Sequence, residues 1–205
     1  MTDSNDPADD LASLDWQKLD SRYDDEAGLI LFAKRIDRLR NPRNDKVFER
    51  LVLESVDWVN VVALTPSGES IMIRQYRFGV SYTTLETPGG MVDPGESHLQ
   101  AAQRELLEET GYATDQWTYL GAVEPNPAFH NHLCHHWLAE NVAPAQQQTL
   151  GDGELIRVEL MSPDQVRAVV QSGELKHALA LSALARVMDL WPLPFAHPPA
   201  EPAGH

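Results

Sequence analysis

Hydrophobic and polar positions first divide the middle of the chain into two short apolar runs. "DWVNVVALT" (57–65) is largely apolar, and "SIMIRQYR" (70–77) begins with apolar residues. The turn-forming "PSGE" (66–69) between them predicts a hairpin. Upstream, "LILFAKRIDRL" (29–39) and "KVFERLVLESV" (46–56) are mixed, and each can supply a strand. "TPGGMVDPGE" (87–96) holds two prolines and three glycines, which predicts a loop. The helix expected after it has defined ends. Ser97 is a candidate N-cap with Gln100 three positions on, as in a capping box, and Gly111 stands where a left-handed C-terminal residue is wanted. Between them Leu99, Ala102 and Leu106 form one apolar stripe. Strands are expected near 118–123 and at "HLCHHWLAE" (132–140), and "GDGELIRVELMS" (151–162) reads as a loop entering a strand. Ser162 and Pro163 begin a further helix, and "HALALSALARVMDLW" (177–191) predicts the last one. Strands and helices mixed without strict alternation predict an α/β (α+β) domain, a mixed sheet covered by helices.

Composition changes this picture mainly through charge. The 205 residues carry 16 Lys and Arg against 31 Asp and Glu, a formal net charge of −15. That balance argues against a nucleic-acid partner, which needs clustered cations, yet it allows a phosphorylated small substrate if a divalent cation supplies local positive charge. One cysteine, Cys134, allows no intrachain disulfide. No apolar run approaches membrane-spanning length, and the acidic start lacks the order of a secretory signal, so a cytoplasmic protein without a membrane partner is expected. Residues 1–12 are expected to be disordered, 13–54 to form an N-terminal strand region, 55–191 the main domain, and 192–205 a proline-rich tail.

Glu105, Glu108 and Glu109 stand three and four apart on the predicted helix, so they project from one face beside the apolar stripe. Like charges at that spacing cost an isolated helix a few tenths of a kcal/mol per pair. Alone, such a turn reads as a solvated surface, with Arg104 paired to Glu108. The preceding loop alters that reading. Gly89 and Gly90 allow close backbone approach to a ligand, a carbonyl there can join the carboxylates, and Glu96 adds a further acid at the helix start. Oxygen-only ligands suit Mg²⁺, with Mn²⁺ an alternative.

Gly90, Glu96, Arg104-Glu105-Leu106-X-Glu108-Glu109 and Gly111 together resemble the signature of the Nudix hydrolases; apart from Leu106, all seven specific residues are present across 23 positions. One position departs from it: Tyr112 stands where an aliphatic residue is usual, at a packing site. The resemblance implies a three-layer α/β/α sandwich around a mixed sheet, and hydrolysis of a nucleoside diphosphate linked to another group X. It also implies that Glu105, Glu108 and Glu109 bind Mg²⁺ with help from the Gly90 carbonyl and Glu96, and that Arg104 holds the glutamates in place.

The flanks, "IRQYRFG" (73–79), "ETPGG" (86–90) and Pro127 fifteen positions after Tyr112, are similar to the ADP-ribose and nucleotide-sugar branch of that family. That likeness implies a nucleoside diphosphate sugar substrate and a homodimer formed through the N-terminal region. Arg77 is then a candidate for gripping a phosphate or terminal ribose, and Glu86 for accepting hydrogen bonds from base or ribose. Pro127 would shape the loop under the sugar, and Trp16 is the best candidate for reaching a nucleobase. A late acidic loop often holds the base in this branch, which makes Glu154 the first candidate and Asp152 the second; Glu105 or Glu109 could serve instead. The rival activities are a pyrophosphate-releasing triphosphatase and a non-catalytic nucleotide-sugar sensor. "FHNHLCHHW" (129–137) suggests zinc on paper, but His130, His132, Cys134 and His136 spaced along one strand are too spread to reach one ion. A histidine from this run against the substrate is the better reading. Apart from Trp16, the tryptophans are expected in the core or a dimer interface.

Overall fold

The computed structural model describes Leu14 and residues 31–191. Trp16, most of the acidic N-terminal stretch and the proline-rich tail lie outside the described residues. Strands β1 (Ala33–Arg40) and β2 (Val47–Glu54) pair antiparallel along their full length as a separate ribbon. The main sheet contains β3 (Trp58–Leu64), β4 (Ser70–Arg77), β5 (Tyr82–Glu86), β7 (Gln116–Val123), β8 (Cys134–Glu140) and β10 (Ile156–Met161). Its order is β10-β4-β3-β8-β7, with β5 also on β4 and β3 parallel to β8. Two short strands, β6 (Tyr112–Ala113) and β9 (Ala143–Pro144), pair with each other. The helices are α1 (His98–Thr110), α2 (Pro163–Gln171) and α3 (Ala178–Leu184).

Strand alternation assigns the two faces. Val59, Val61 and Ala63 of β3 point to one side, where Ala101, Ala102 and Leu106 of α1 bury against them. Val62 points the other way, into a core with Val166 and Val170 of α2 and Ala180, Ala183 and Leu184 of α3. Helix, mixed sheet and helices form the expected three layers. Complete burial of a side chain such as Leu106 contributes about 1.5–3 kcal/mol.

The expected hairpin is real but short. Strands β3 and β4 pair only through Ala63–Ile71 and Leu64–Ser70, then diverge. Beyond that point β5, an element the apolar pattern did not predict, takes over beside β4. The glycine loop fills the gap along β3: Val59 N–H donates to the Gly90 carbonyl and Val61 N–H to the Pro88 carbonyl, both at 2.8 Å. The divergence thus places the loop next to α1.

Both ends of α1 follow the sequence. Ser97 accepts from Gln100 N–H, the Gln100 side chain accepts from Ser97 N–H, and Gly111 closes the helix at φ 76°. The last helix is shorter than expected and ends at Leu184, so Trp191 lies outside it and is 43% exposed.

Candidate active site

Helix α1 turns its acidic face toward the loop that β3 holds. Arg104 sits among the carboxylates: its Nη2 donates to Glu96 Oε1 at 2.7 Å and its Nη1 to Glu105 Oε1 at 2.8 Å. Nη1 also reaches Glu108 Oε2 at 3.3 Å, and Nη2 donates to the Met91 carbonyl at 2.9 Å. Hydrogen bonds from Arg104 outweigh the partial burial of the Glu96 carboxylate and hold it below the usual carboxylate range. Glu109, 4% exposed, accepts from Gly89 N–H at 2.9 Å. The Gly90 carbonyl has one lone pair engaged by Val59 N–H and one to spare. A Cβ on Gly90 would stand 2.6 Å from Cδ of Glu105, so glycine is what lets that carboxylate lie against the loop.

Burial raises the pKa of Glu105, with repulsion from Glu108 and Glu154 adding to it against the pull of Arg104. Burial raises Glu109 well above its ordinary value, and the charges of Glu105 and Glu154 push the same way. Glu154, in the turn where Gly151 N–H donates to its Oε2 at 2.8 Å, is therefore close enough to act on both. Asp152 in the same turn is exposed. Among the described residues no three His, Cys, Asp or Glu side chains are gathered as a ready-made metal site, since Arg104 and Gly89 hold the glutamates individually. The donor set nonetheless fits a hard divalent cation: it is all oxygen, and it carries a repulsion between buried carboxylates that such an ion relieves.

Arg77 and Glu86, separate candidates in the sequence, are joined in the structure. Arg77 Nε and Nη2 donate to Glu86 Oε1 and Oε2, both at 2.7 Å, across the β4–β5 pair. Thr84 also donates to Glu86. Burial alone would raise the Glu86 carboxyl, but the hydrogen bonds and charge of Arg77, with His177 and Thr84 adding to them, together keep it below its usual value. The pair lines a cavity of about 500 Å³ that begins at Gly89 and Gly90. Lys176 and His177, from the turn before α3, line it too, with Trp58, Asn60 and Tyr82. Sequence reasoning missed all of these as site residues, because nothing local marks a lysine and a histidine 67 and 68 positions beyond Glu109. Pro127 is exposed in a turn and is not part of the cavity wall.

The histidine run serves the interior. The strand begins only at Cys134, so His130 and His132 precede it. Cys134 donates to Asn60 Oδ1 at 3.2 Å, and burial pushes its thiol up to about 12. His136 meets Ser182 at 3.2 Å, and burial pushes it down to about 4. None of His130, His132 or His136 lines the cavity; His177 does. Trp137 is buried beneath α1 with Trp117 packed alongside, whereas Trp58 stands in the cavity wall.

The acidic helix face, the glycine loop and the three-layer fold agree with a comparison across known families, in which the NUDIX domain matches residues 55–181. This chain belongs to the Nudix family. It is 30% identical over 142 residues to an "ADP-ribose pyrophosphatase" of Bacillus subtilis, covering 69% of this chain and 77% of that one. It is also 30% identical over 99 residues to the "ADP compounds hydrolase NudE" of Escherichia coli, covering about half of each chain, 48% and 53%. The crystal structure of an ADP compounds hydrolase superposes with a TM-score of 0.68 at 24% identity, over 78% of this chain and 86% of that one, a likeness of fold. As a Nudix hydrolase, the chain carries every specific residue of the signature on the loop before α1, on α1 itself and at the glycine that caps it.

Proposed function

We propose that this Nudix hydrolase cleaves the diphosphate of ADP-ribose, or of a related nucleoside diphosphate sugar, to a nucleoside monophosphate and a sugar phosphate, with Mg²⁺ or Mn²⁺ as cofactor. The observation that carries this reading is one juxtaposition. Glu105 and Glu109 on α1 feel the charge of Glu154 from a different loop, and the Arg77 cavity opens from the same glycines that α1 faces. The names of the relatives support the substrate class.

In this reading Glu105, Glu108 and Glu109 hold the cation, assisted by Glu96 and the spare lone pair of the Gly90 carbonyl. When bound, such an ion supplies polarised phosphate oxygens and a water of lowered pKa. The protein's own groups do the rest. Glu154 keeps Oε2 on Gly151 N–H and leaves Oε1 to accept a proton from the attacking water. Arg77, fixed by Glu86, donates from its unused Nη1 edge to a phosphate oxygen. Arg104 holds Glu105 and Glu108 in place. Homodimerisation through the N-terminal region and a cytoplasmic setting belong to the same proposal.

The test is a substrate panel with Mg²⁺ present and products identified by mass spectrometry: ADP-ribose, ADP-glucose, GDP-mannose, UDP-glucose, ATP and an oxidised dGTP. Monophosphate plus sugar phosphate from a sugar substrate is expected. Pyrophosphate from the triphosphates alone would establish the sanitising activity instead. Tight binding without any turnover would establish a sensor.

A further inference from the structure

The cavity beside the glycine loop differs in charge from the rest of a chain with net charge −15. Among the described residues two cations line it, Arg77 and Lys176, and one acidic side chain, Glu86, which is buried and engaged by Arg77. Arg77 bonds Glu86 through Nε and Nη2, which leaves Nη1 unspent on a side chain that is 40% exposed. Lys176 is exposed and, among the described residues, makes no ion pair. His177 accepts from Ala180 N–H at Nδ1, 3.3 Å away, so the ring proton of its neutral form sits on Nε2, 3.5 Å from Glu86 Oε2.

Unspent side-chain groups in this wall are therefore almost all donors. Asn60 Oδ1 accepts from the Cys134 thiol, Glu86 is engaged, and His177 Nδ1 caps its own helix. Among the described side chains the hydroxyls of Thr84 and Tyr82 are the main acceptors left, beside the spare lone pair of the Gly90 carbonyl. A nucleobase edge presents donors that need acceptors, whereas a phosphate presents acceptors only and brings the charge that Lys176 lacks a partner for. The side chains of the wall match the second better than the first.

We propose that this cavity receives the sugar-phosphate half of the substrate, with Lys176 binding its phosphate. The proposal rests on the diphosphatase reading above. It makes Lys176, on the turn between α2 and α3, a specificity-determining residue for that half of the molecule.

Product inhibition separates the two halves. In Lys176→Gln, KM for ADP-ribose should rise about tenfold, the loss of one charge-assisted contact, with kcat changed less than twofold. The inhibition constant of ribose 5-phosphate should weaken by the same factor, and that of AMP should not move. Lys176→Arg should recover both values, because it keeps the charge. Weakened AMP inhibition with ribose 5-phosphate unchanged would put the nucleotide half in the cavity and overturn the proposal. Wild-type constants throughout, or an arginine variant as weak as glutamine, would overturn it too. If the wild type leaves ADP-ribose intact, the diphosphatase reading fails by itself. Calorimetric binding of ribose 5-phosphate to wild type and Lys176→Gln then decides the cavity separately: about tenfold weaker binding upholds the pocket, and equal or absent binding overturns it.

Discussion

Replacing Arg77 by alanine should destabilise the protein in a way that depends on pH with a reversed sign. In the wild type Glu86 is 1% exposed and takes two 2.7 Å bonds from Arg77. Removing the guanidinium leaves a buried carboxylate with Thr84 and, at 3.5 Å, His177. Breaking a buried pair from one side costs about 3–5 kcal/mol, and the low end, about 3, applies because the Arg77 side chain is 40% exposed and water can reach the gap. For a chain of this size that corresponds to a fall in Tm of about 6–12 °C. Wild-type Glu86 has a depressed folded pKa, so its contribution is present above the unfolded value near 4.5 and is lost as pH falls through the folded one. In Arg77→Ala, burial acts largely unopposed and raises the folded pKa above the unfolded one. The penalty is then full at high pH and fades as acid protonates Glu86. Urea melts of both proteins between pH 4 and 8 measure this directly: the gap should be about 3 kcal/mol at pH 8 and should narrow toward pH 4. A constant gap, or one under about 1 kcal/mol at pH 8, would refute the assignment of Arg77 as the partner that keeps Glu86 charged.

Further expectations concern the glycine loop and the carboxylates. Gly90→Ala should lower kcat at least a hundredfold with little change in Tm, because its methyl displaces the flexible end of Glu105. Gly89→Ala should instead lower Tm, since its methyl would meet β3 backbone 3.0 Å away at Asn60 Cα and closer still at the Val59 carbonyl; equal melting of the two variants would contradict this. Glu154→Gln should reduce kcat about 10²–10⁴-fold and leave KM nearly unchanged in steady-state assays, and a normal kcat would remove it as the base. Because Glu105 and Glu109 have raised pKa values, Mg²⁺ binding should weaken as pH falls through them and should release protons. Calorimetry in two buffers of different ionisation enthalpy reads that release, and identical heats would contradict it.

The parts of the site that were legible in the sequence are those held by local geometry. Glu105, Glu108 and Glu109 share a face because helices repeat every 3.6 residues, and Ser97, Gln100 and Gly111 mark the ends of that helix by local hydrogen bonding and backbone freedom. What stayed hidden depends on distant pairing. The divergence of β3 from β4 makes room for β5, whose "YTTLE" is too short and too polar to announce itself. Without β5 the two-pronged contact of Arg77 with Glu86 cannot be foreseen, and each looks like a free substrate ligand. Lys176 and His177 reach the cavity only because α2 and α3 pack on the opposite sheet face and their turn meets the end of β5. The histidine run misleads for a related reason: alternation applies only where the strand exists, and it begins at Cys134.

Whether the α1 carboxylates carry hydrolysis of a nucleotide sugar is decided by following ADP-ribose with Mg²⁺ in wild type and Glu108→Gln side by side. Mass spectrometry would identify the products and circular dichroism would check the fold. Glu108 is 43% exposed, so its neutral isostere should fold as the wild type does. The expected result is AMP and ribose 5-phosphate from the wild type and a loss of turnover of at least a hundredfold in the variant. Undiminished turnover by Glu108→Gln, or a wild type inert toward every nucleotide sugar, would contradict it.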